Sequence, residues 1–254
     1  MKSITIADRK YQIEFFRAML AGTTDKRILL LRADGGRGKT DLLQRLAHEC
    51  PADRCVVRFN LKTAEKGIAQ ILGVFRDKLG ADALPRFYAA LARLDPNINI
   101  AHITSLGKFD LSIMLNVDEQ TRKIRLELLE AAFFDDLRAA CANLVVIFDT
   151  FDQAPDELKK WLSGAFLEHA ATIPHLRVVI GGREVPERTL LEWEDICARD
   201  ELREIQDVDE WYAFAQETQL PFSRDAVKAL VMAGKGIPDD ICKLFRQCAL
   251  EWSK

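Results

Sequence analysis

The sequence predicts an α/β protein: a parallel five-stranded sheet with helices on both faces, followed by a small helical unit. Three observations predict it. The apolar runs Ile28–Leu31, Leu144–Phe148 and Leu176–Ile180 are uninterrupted, the pattern of strands buried on both faces. Segments of helical periodicity separate them, and strands alternating with helices imply a parallel sheet. Each run also ends in a polar or glycine-rich turn, and ligands in such sheets sit beyond the carboxyl ends of the strands.

The elements follow in order. Residues 8–20 form an amphipathic helix in which Phe16, Met19 and Leu20 continue a stripe begun at Ile13; Asp8 is its expected N-cap and Gly22 its stop. The first strand is Ile28–Arg32. A glycine-rich turn leads into a helix carrying Leu42, Leu43, Leu46 and Ala47, which runs to about Cys50. Cys55–Asn60 reads as the second strand. Residues 64–94 are helical, broken near Gly80 and Pro85, whereas Asp95–Val117 has no clear period. Residues 118–142 form a long helix with Ile124, Leu128, Leu129, Ala132, Phe133 and Leu137 on one face. The third strand, ending at Phe148, is followed by a helix that Pro155 opens and that ends near Ala170. The fourth strand ends in Gly181-Gly182-Arg183, and Leu202–Ile205 is the expected fifth. Helices alone follow: Asp209–Thr218, Ser223–Met232 and Asp239–Trp252, with Ser223 and Asp239 as expected N-caps. The change near Gln206 divides the chain into a sheet domain, 1–205, and a helical domain, 206–254.

Composition sets the bounds. With 254 residues and 48% hydrophobic content, the chain suffices for a sizeable core. A net charge of −3, without a dense basic patch, does not indicate a nucleic-acid partner. No apolar run reaches membrane-spanning length, and the N-terminal residues carry no secretory pattern. The six cysteines (Cys50, Cys55, Cys141, Cys197, Cys242, Cys248) form no metal-binding spacing and are expected to be buried small hydrophobes, which suggests a reducing, cytoplasmic setting. His48, His102, His169 and His175 show no pairing.

The chemistry concentrates after the first strand. Ala33, Asp34, Gly35, Gly36, Arg37, Gly38, Lys39, Thr40 and Asp41 lie between a buried strand and a helix, the context of a phosphate-binding loop. Glycines let backbone N–H groups wrap phosphate oxygens closely, and the helix start presents further unpaired N–H groups to the anion. Lys39 supplies a point charge for the β- and γ-phosphates, and Thr40 a hydroxyl for Mg²⁺. Asp149, closing the third apolar run, is the candidate carboxylate opposite Thr40 and would hold Mg²⁺ mostly through water. Asp152 is the candidate group to orient or deprotonate an attacking water, assisted by Gln153; a helix N-cap is its alternative role. Arg183 is placed to report a γ-phosphate; a surface arginine in a turn is the alternative. Gly234-Lys-Gly236-Ile-Pro238 is a turn between helices whose proline can pack on a base.

Together these residues resemble the STAND class of P-loop NTPases, which includes the NACHT and NB-ARC modules. Ala33–Thr40 looks like the Walker A motif, with Ala33 in the place of its first glycine. Phe148–Gln153 looks like a NACHT-type Walker B, with Gln153 in place of an acid. Val178–Arg183 is similar to the sensor strand with its terminal arginine. Gly236-Ile237-Pro238 is similar to the Gly-x-Pro signature of a helical lid, and Ala7-Asp8-Arg9 to the Gly-Arg motif that precedes the first helix, which makes Arg9 and Pro238 candidate nucleotide contacts. The resemblance implies an ASCE-type sheet in the order 5-1-4-3-2 and binding of ATP or ADP with Mg²⁺. It further implies slow hydrolysis and a nucleotide switch that gates self-association or partner binding, often in defence. Members of the class carry sensor and effector domains; the sequence ends just past its last helices, as either a piece of such a protein or a short protein with separately encoded partners would. A mechanical AAA+ ATPase acting on nucleic acid or protein, and a nucleotide-binding scaffold that hardly turns over, are the competing readings.

Overall fold

The computed structural model describes residues 6–94, 111, 115–140 and 143–252. Most of the aperiodic stretch Asp95–Val117, with His102, and also Cys141 lie outside the described residues.

The sheet comprises β1 (Ile28–Arg32), β2 (Cys55–Asn60), β3 (Leu144–Asp149), β4 (Leu176–Gly182) and β5 (Cys197–Glu201), in the spatial order β2-β3-β4-β1-β5. Counted from the other edge this is 5-1-4-3-2, and every pairing is parallel. Period-two alternation sorts the central strands onto two cores. Leu144, Val146 and Phe148 of β3 face one side with Ile28 and Leu30 of β1, while Val145 and Ile147 face the other with Leu29 and Leu31. The first core is rich in phenylalanine: Phe148 stacks on Phe59 with centroids 5.0 Å apart and meets Phe166 edge-on at 5.3 Å. Truncating such a ring to alanine costs about 3–5 kcal/mol, through lost burial plus the cavity left behind.

Helices α1 (Lys10–Ala21) and α2 (Lys39–Glu49) cover the second core through Phe16, Met19, Leu42, Leu43 and Leu46. The first core is covered by α3 (Gly67–Leu79), α4 (Pro85–Leu94), α5 (Glu119–Ala140), α6 (Asp156–Trp161) and α7 (Leu167–Ala171). A π-helical turn, Leu162–Phe166, joins the last two. A third core gathers Ile205, Trp211, Val227, Ile241 and Phe245 with Ala7. It is built by α8 (Val208–Glu217), α9 (Arg224–Ala233) and α10 (Pro238–Trp252). No helix among the described residues is long and apolar enough to cross a membrane.

Several sequence expectations are corrected. The fifth strand is Cys197–Glu201, not Leu202–Ile205: β5 lies at the sheet edge, so its burial is one-sided and its sequence polar, while Leu202 and Ile205 serve the second and third cores. Asp8 does not cap α1; Asp8 and Arg9 both adopt positive φ (53° and 73°) and the helix begins at Lys10. Asp239 lies inside the first turn of α10, after Pro238. On α5, Ile124 and Leu128 are about half exposed, whereas Phe134 and Asp136 are buried. Asp136 accepts the N–H groups of Phe87 (2.8 Å) and Arg86 (3.2 Å), capping α4 from another helix. Of the described cysteines only Cys197 is buried; Cys50, Cys55, Cys242 and Cys248 are intermediate.

Candidate functional site

Three turns at the carboxyl ends of β1, β3 and β4 converge on one cavity of about 190 Å³. Residues 34–41 form one wall, Thr150, Asp152, Gln153 and Arg183 the opposite one, and Asp239 of α10 closes the side. A larger hollow of about 1420 Å³ lies beside it, bordered by Arg32, Phe151, Lys160, Pro186 and Trp193 among others, but by no residue of the glycine loop. The glycine loop, the Asp152 turn and Arg183 all border the smaller cavity, which makes it the candidate site.

The loop's path follows from its glycines. Gly36 has φ +77°, which a side chain rarely adopts, and Gly38, the residue before α2, has φ +76°. Ala33, in the position of the usual first glycine, is buried with ordinary backbone geometry, and its N–H donates to Gly182 at 3.0 Å. That bond ties the loop to β4. Gly182 is required for a different reason: a Cβ there would lie 2.0 Å from the Glu184 carbonyl oxygen and 3.1 Å from the Asp152 carboxylate.

Thr40 donates its hydroxyl to Asp149 Oδ2 at 2.9 Å. Asp149 is buried, and its Oδ1 finds no hydrogen-bond donor. A buried carboxylate oxygen left unpaired is costly unless something else satisfies it. The site is thus a hydroxyl and an orphaned carboxylate oxygen, hard oxygen donors that fit Mg²⁺. No larger cluster of His, Cys, Asp and Glu suited to a metal occurs among the described residues.

Lys39 is half-buried between these acids. Burial pulls its ammonium below the usual lysine range, and the Asp152 and Asp149 carboxylates oppose that shift. Asp152 sits in a short 3₁₀ turn, Phe151–Gln153, and its Oδ1 accepts the Arg183 backbone N–H at 2.7 Å. The Arg183 guanidinium lies across the loop, Nη2 being 3.3 Å from where a Gly35 Cβ would stand. Arg37 turns away to pair with Glu204 at 2.5 Å.

Two candidate contacts play different parts. Arg9 is buried, and its Nη2 donates to the carbonyls of Arg37 (3.0 Å) and Arg203 (2.7 Å), so it braces the loop against the segment after β5. Pro238 packs on Gly38, 3.7 Å from the position of its Cβ, and does not border the cavity. The residue of that turn which does is Asp239.

Sequence reasoning missed Asn60. It pairs in register with Asp149 at the end of β2, and its Oδ1 accepts the Thr150 hydroxyl at 2.8 Å, holding Thr150 in its left-handed conformation. Its position at a strand's carboxyl end was the available signal. Asp239 was legible only as a helix start.

No family model matches the chain, and no curated protein matches it significantly. Solved structures do. The Walker-type ATPase PABY2304 of Pyrococcus abyssi superposes with a TM-score of 0.54 at 15% identity, covering 98% of this chain and 72% of that one. The RuvB Holliday junction branch migration motor of Thermotoga maritima gives 0.49 at 12% identity, over 96% and 65% of the two chains. The Trip13-containing complex of Escherichia coli MS115-1 gives 0.41 at 14% identity, over 89% and 68%. At such identities the likeness concerns architecture alone, and the first of these carries it: the chain has the five-stranded α/β fold of a P-loop ATPase.

Proposed function

We propose that this chain is a nucleotide-binding ATPase module that takes ATP or ADP with Mg²⁺ and works as a slow conformational switch. The observation that carries the reading is the meeting of Lys39, Thr40, Asp152 and Arg183 from three different strand ends around one cavity, with the glycine loop as one wall and Asp149 bonded to Thr40 beside it. Backbone N–H groups of Gly36–Thr40 and the Lys39 ammonium bind the phosphates. Thr40 and Asp149, the latter mostly through water, would hold Mg²⁺, which would supply charge stabilisation for the phosphate oxygens. Asp152 orients the attacking water, Gln153 hydrogen-bonds to it, and Arg183 distinguishes ATP from ADP by reaching the γ-phosphate.

The division into a sheet domain, 1–205, and a helical lid, 206–254, belongs to the same reading, because the nucleotide then bridges two bodies. A STAND-type switch gating self-association or a protein partner accounts for the Gly-x-Pro turn seated on the loop. An AAA+-like motor acting on nucleic acid or protein shares the strand order and the site; steady-state ATPase with and without DNA separates the two, since a motor is stimulated by its track.

The test of the common core is Lys39→Ala. Loss of the phosphate-facing charge weakens ATP binding by at least about tenfold, about 1.4 kcal/mol. Unchanged affinity by calorimetry, with the fold intact by circular dichroism, removes the assignment.

A further inference from the structure

The cavity is charged in an unexpected way for a phosphate cradle. The lining residues include three basic ones, Lys39, Arg183 and Arg37, the last with its side chain paired to Glu204, and four acidic ones, Asp34, Asp41, Asp152 and Asp239. Of these acids only Asp239 comes from the helical unit. It is pressed onto the loop: its backbone N–H donates to the Gly36 carbonyl at 3.0 Å. A methyl group built on Gly36 would meet the Asp239 Cβ at 3.3 Å and its carboxyl carbon at 3.8 Å. Ile237 Cγ2 packs on the same spot at 3.2 Å. The space left, about 190 Å³, is smaller than the roughly 300 Å³ at which pockets for organic ligands begin.

The lid is held on the loop by a backbone hydrogen bond and apolar packing.

We propose that Asp239 is an electrostatic gate on the phosphate loop, a carboxylate carried by α10 that borders the cavity and whose charge opposes the seating of a polyphosphate there. The proposal rests on the nucleotide-binding reading and adds the residue that sets access and affinity. A phosphate chain and a seated Asp239 exclude one another by charge. The penalty grows with the number of phosphate charges and is absent for an uncharged nucleoside. Asp239→Asn removes the charge but keeps the seat, because the bond to Gly36 is made by the backbone. Asp239→Ala removes charge and bulk together.

The experiment is calorimetric titration of the full chain, wild type, Asp239→Asn and Asp239→Ala, with adenosine, ADP and ATP at low and high salt. Both variants are expected to bind ATP at least about tenfold more tightly than the wild type, the scale of removing one like charge a few ångströms from the ligand. ADP gains less and adenosine nothing, and the gain shrinks in high salt, where charges are screened. Equal or weaker ATP binding by folded Asp239→Asn and Asp239→Ala, or an equal gain for adenosine, overturns the gate and leaves the loop assignment standing. If neither the wild type nor the variants bind ATP or ADP, the nucleotide reading itself fails, and the gate with it.

Discussion

Asp152 Oδ1 accepts the backbone N–H of Arg183 at 2.7 Å, so the turn that ends β3 is tied to the turn that ends β4. One carboxylate oxygen is thereby committed to positioning. The same bond fixes where Arg183 leaves the sheet, and the steric demand at Gly182 keeps the two turns this close.

Asp152→Asn separates the two roles, because an amide oxygen still accepts the Arg183 N–H while the base is lost. ATP binding is expected to stay at the wild-type level and single-turnover hydrolysis to fall by roughly a hundredfold. Hydrolysis at the wild-type rate reduces Asp152 to a structural tether.

Asp149→Asn keeps an acceptor for Thr40 but removes the charge that offsets a divalent cation. The advantage of Mg²⁺ in ATP binding is expected to drop about tenfold or more, since hard cations prefer ionised carboxylates. ATP titrations with Mg²⁺ and with EDTA measure it. An undiminished Mg²⁺ effect places the cation elsewhere.

Arg183→Ala probes the coupling of nucleotide to shape. A ligand shifts an equilibrium only by its difference in affinity for the two states. ADP cannot reach Arg183 with a γ-phosphate, so ADP affinity is retained and the difference between ATP and ADP disappears. Small-angle scattering and light scattering in both nucleotide states check this. Identical profiles for the wild type with ATP and with ADP leave the scaffold reading in place of the switch.

Glu130 on α5 offers a prediction independent of nucleotide. Burial, reinforced by Glu127 and Glu157, raises its carboxyl from 4.5 to about 7. The folded chain therefore holds a proton there that the unfolded chain has already released. Stability falls as pH rises from about 4.5 towards 7, because the native state binds more protons over that window. Glu130→Gln removes this dependence, and is more stable than the wild type at pH 8 but not at pH 4, by urea denaturation. Parallel stability profiles of the two proteins would falsify the assignment.

The sequence by itself determined what depends on neighbours along the chain. The runs Leu144–Phe148 and Leu176–Ile180 are apolar at every position because both faces of a central strand are covered, so they were legible without coordinates. The glycine loop was legible because Gly36 and Gly38 supply the left-handed turns that must precede Lys39. Tertiary structure alone decided the rest. The edge strand Cys197–Glu201 has one-sided burial, and nothing in its polar sequence reveals that β1 pairs with it. Ile124 and Leu128 share a helical period with buried Leu129 yet face outward, since period reports a stripe but not which neighbour covers it. Asp136 caps α4 from α5, Arg9 braces Arg37 and Arg203, and Asp239 sits on Gly36. Each of these contacts joins segments far apart in sequence. Side-chain identity permits such a bond, and only the packing of the sheet and its helices brings donor and acceptor within 3 Å or so of each other.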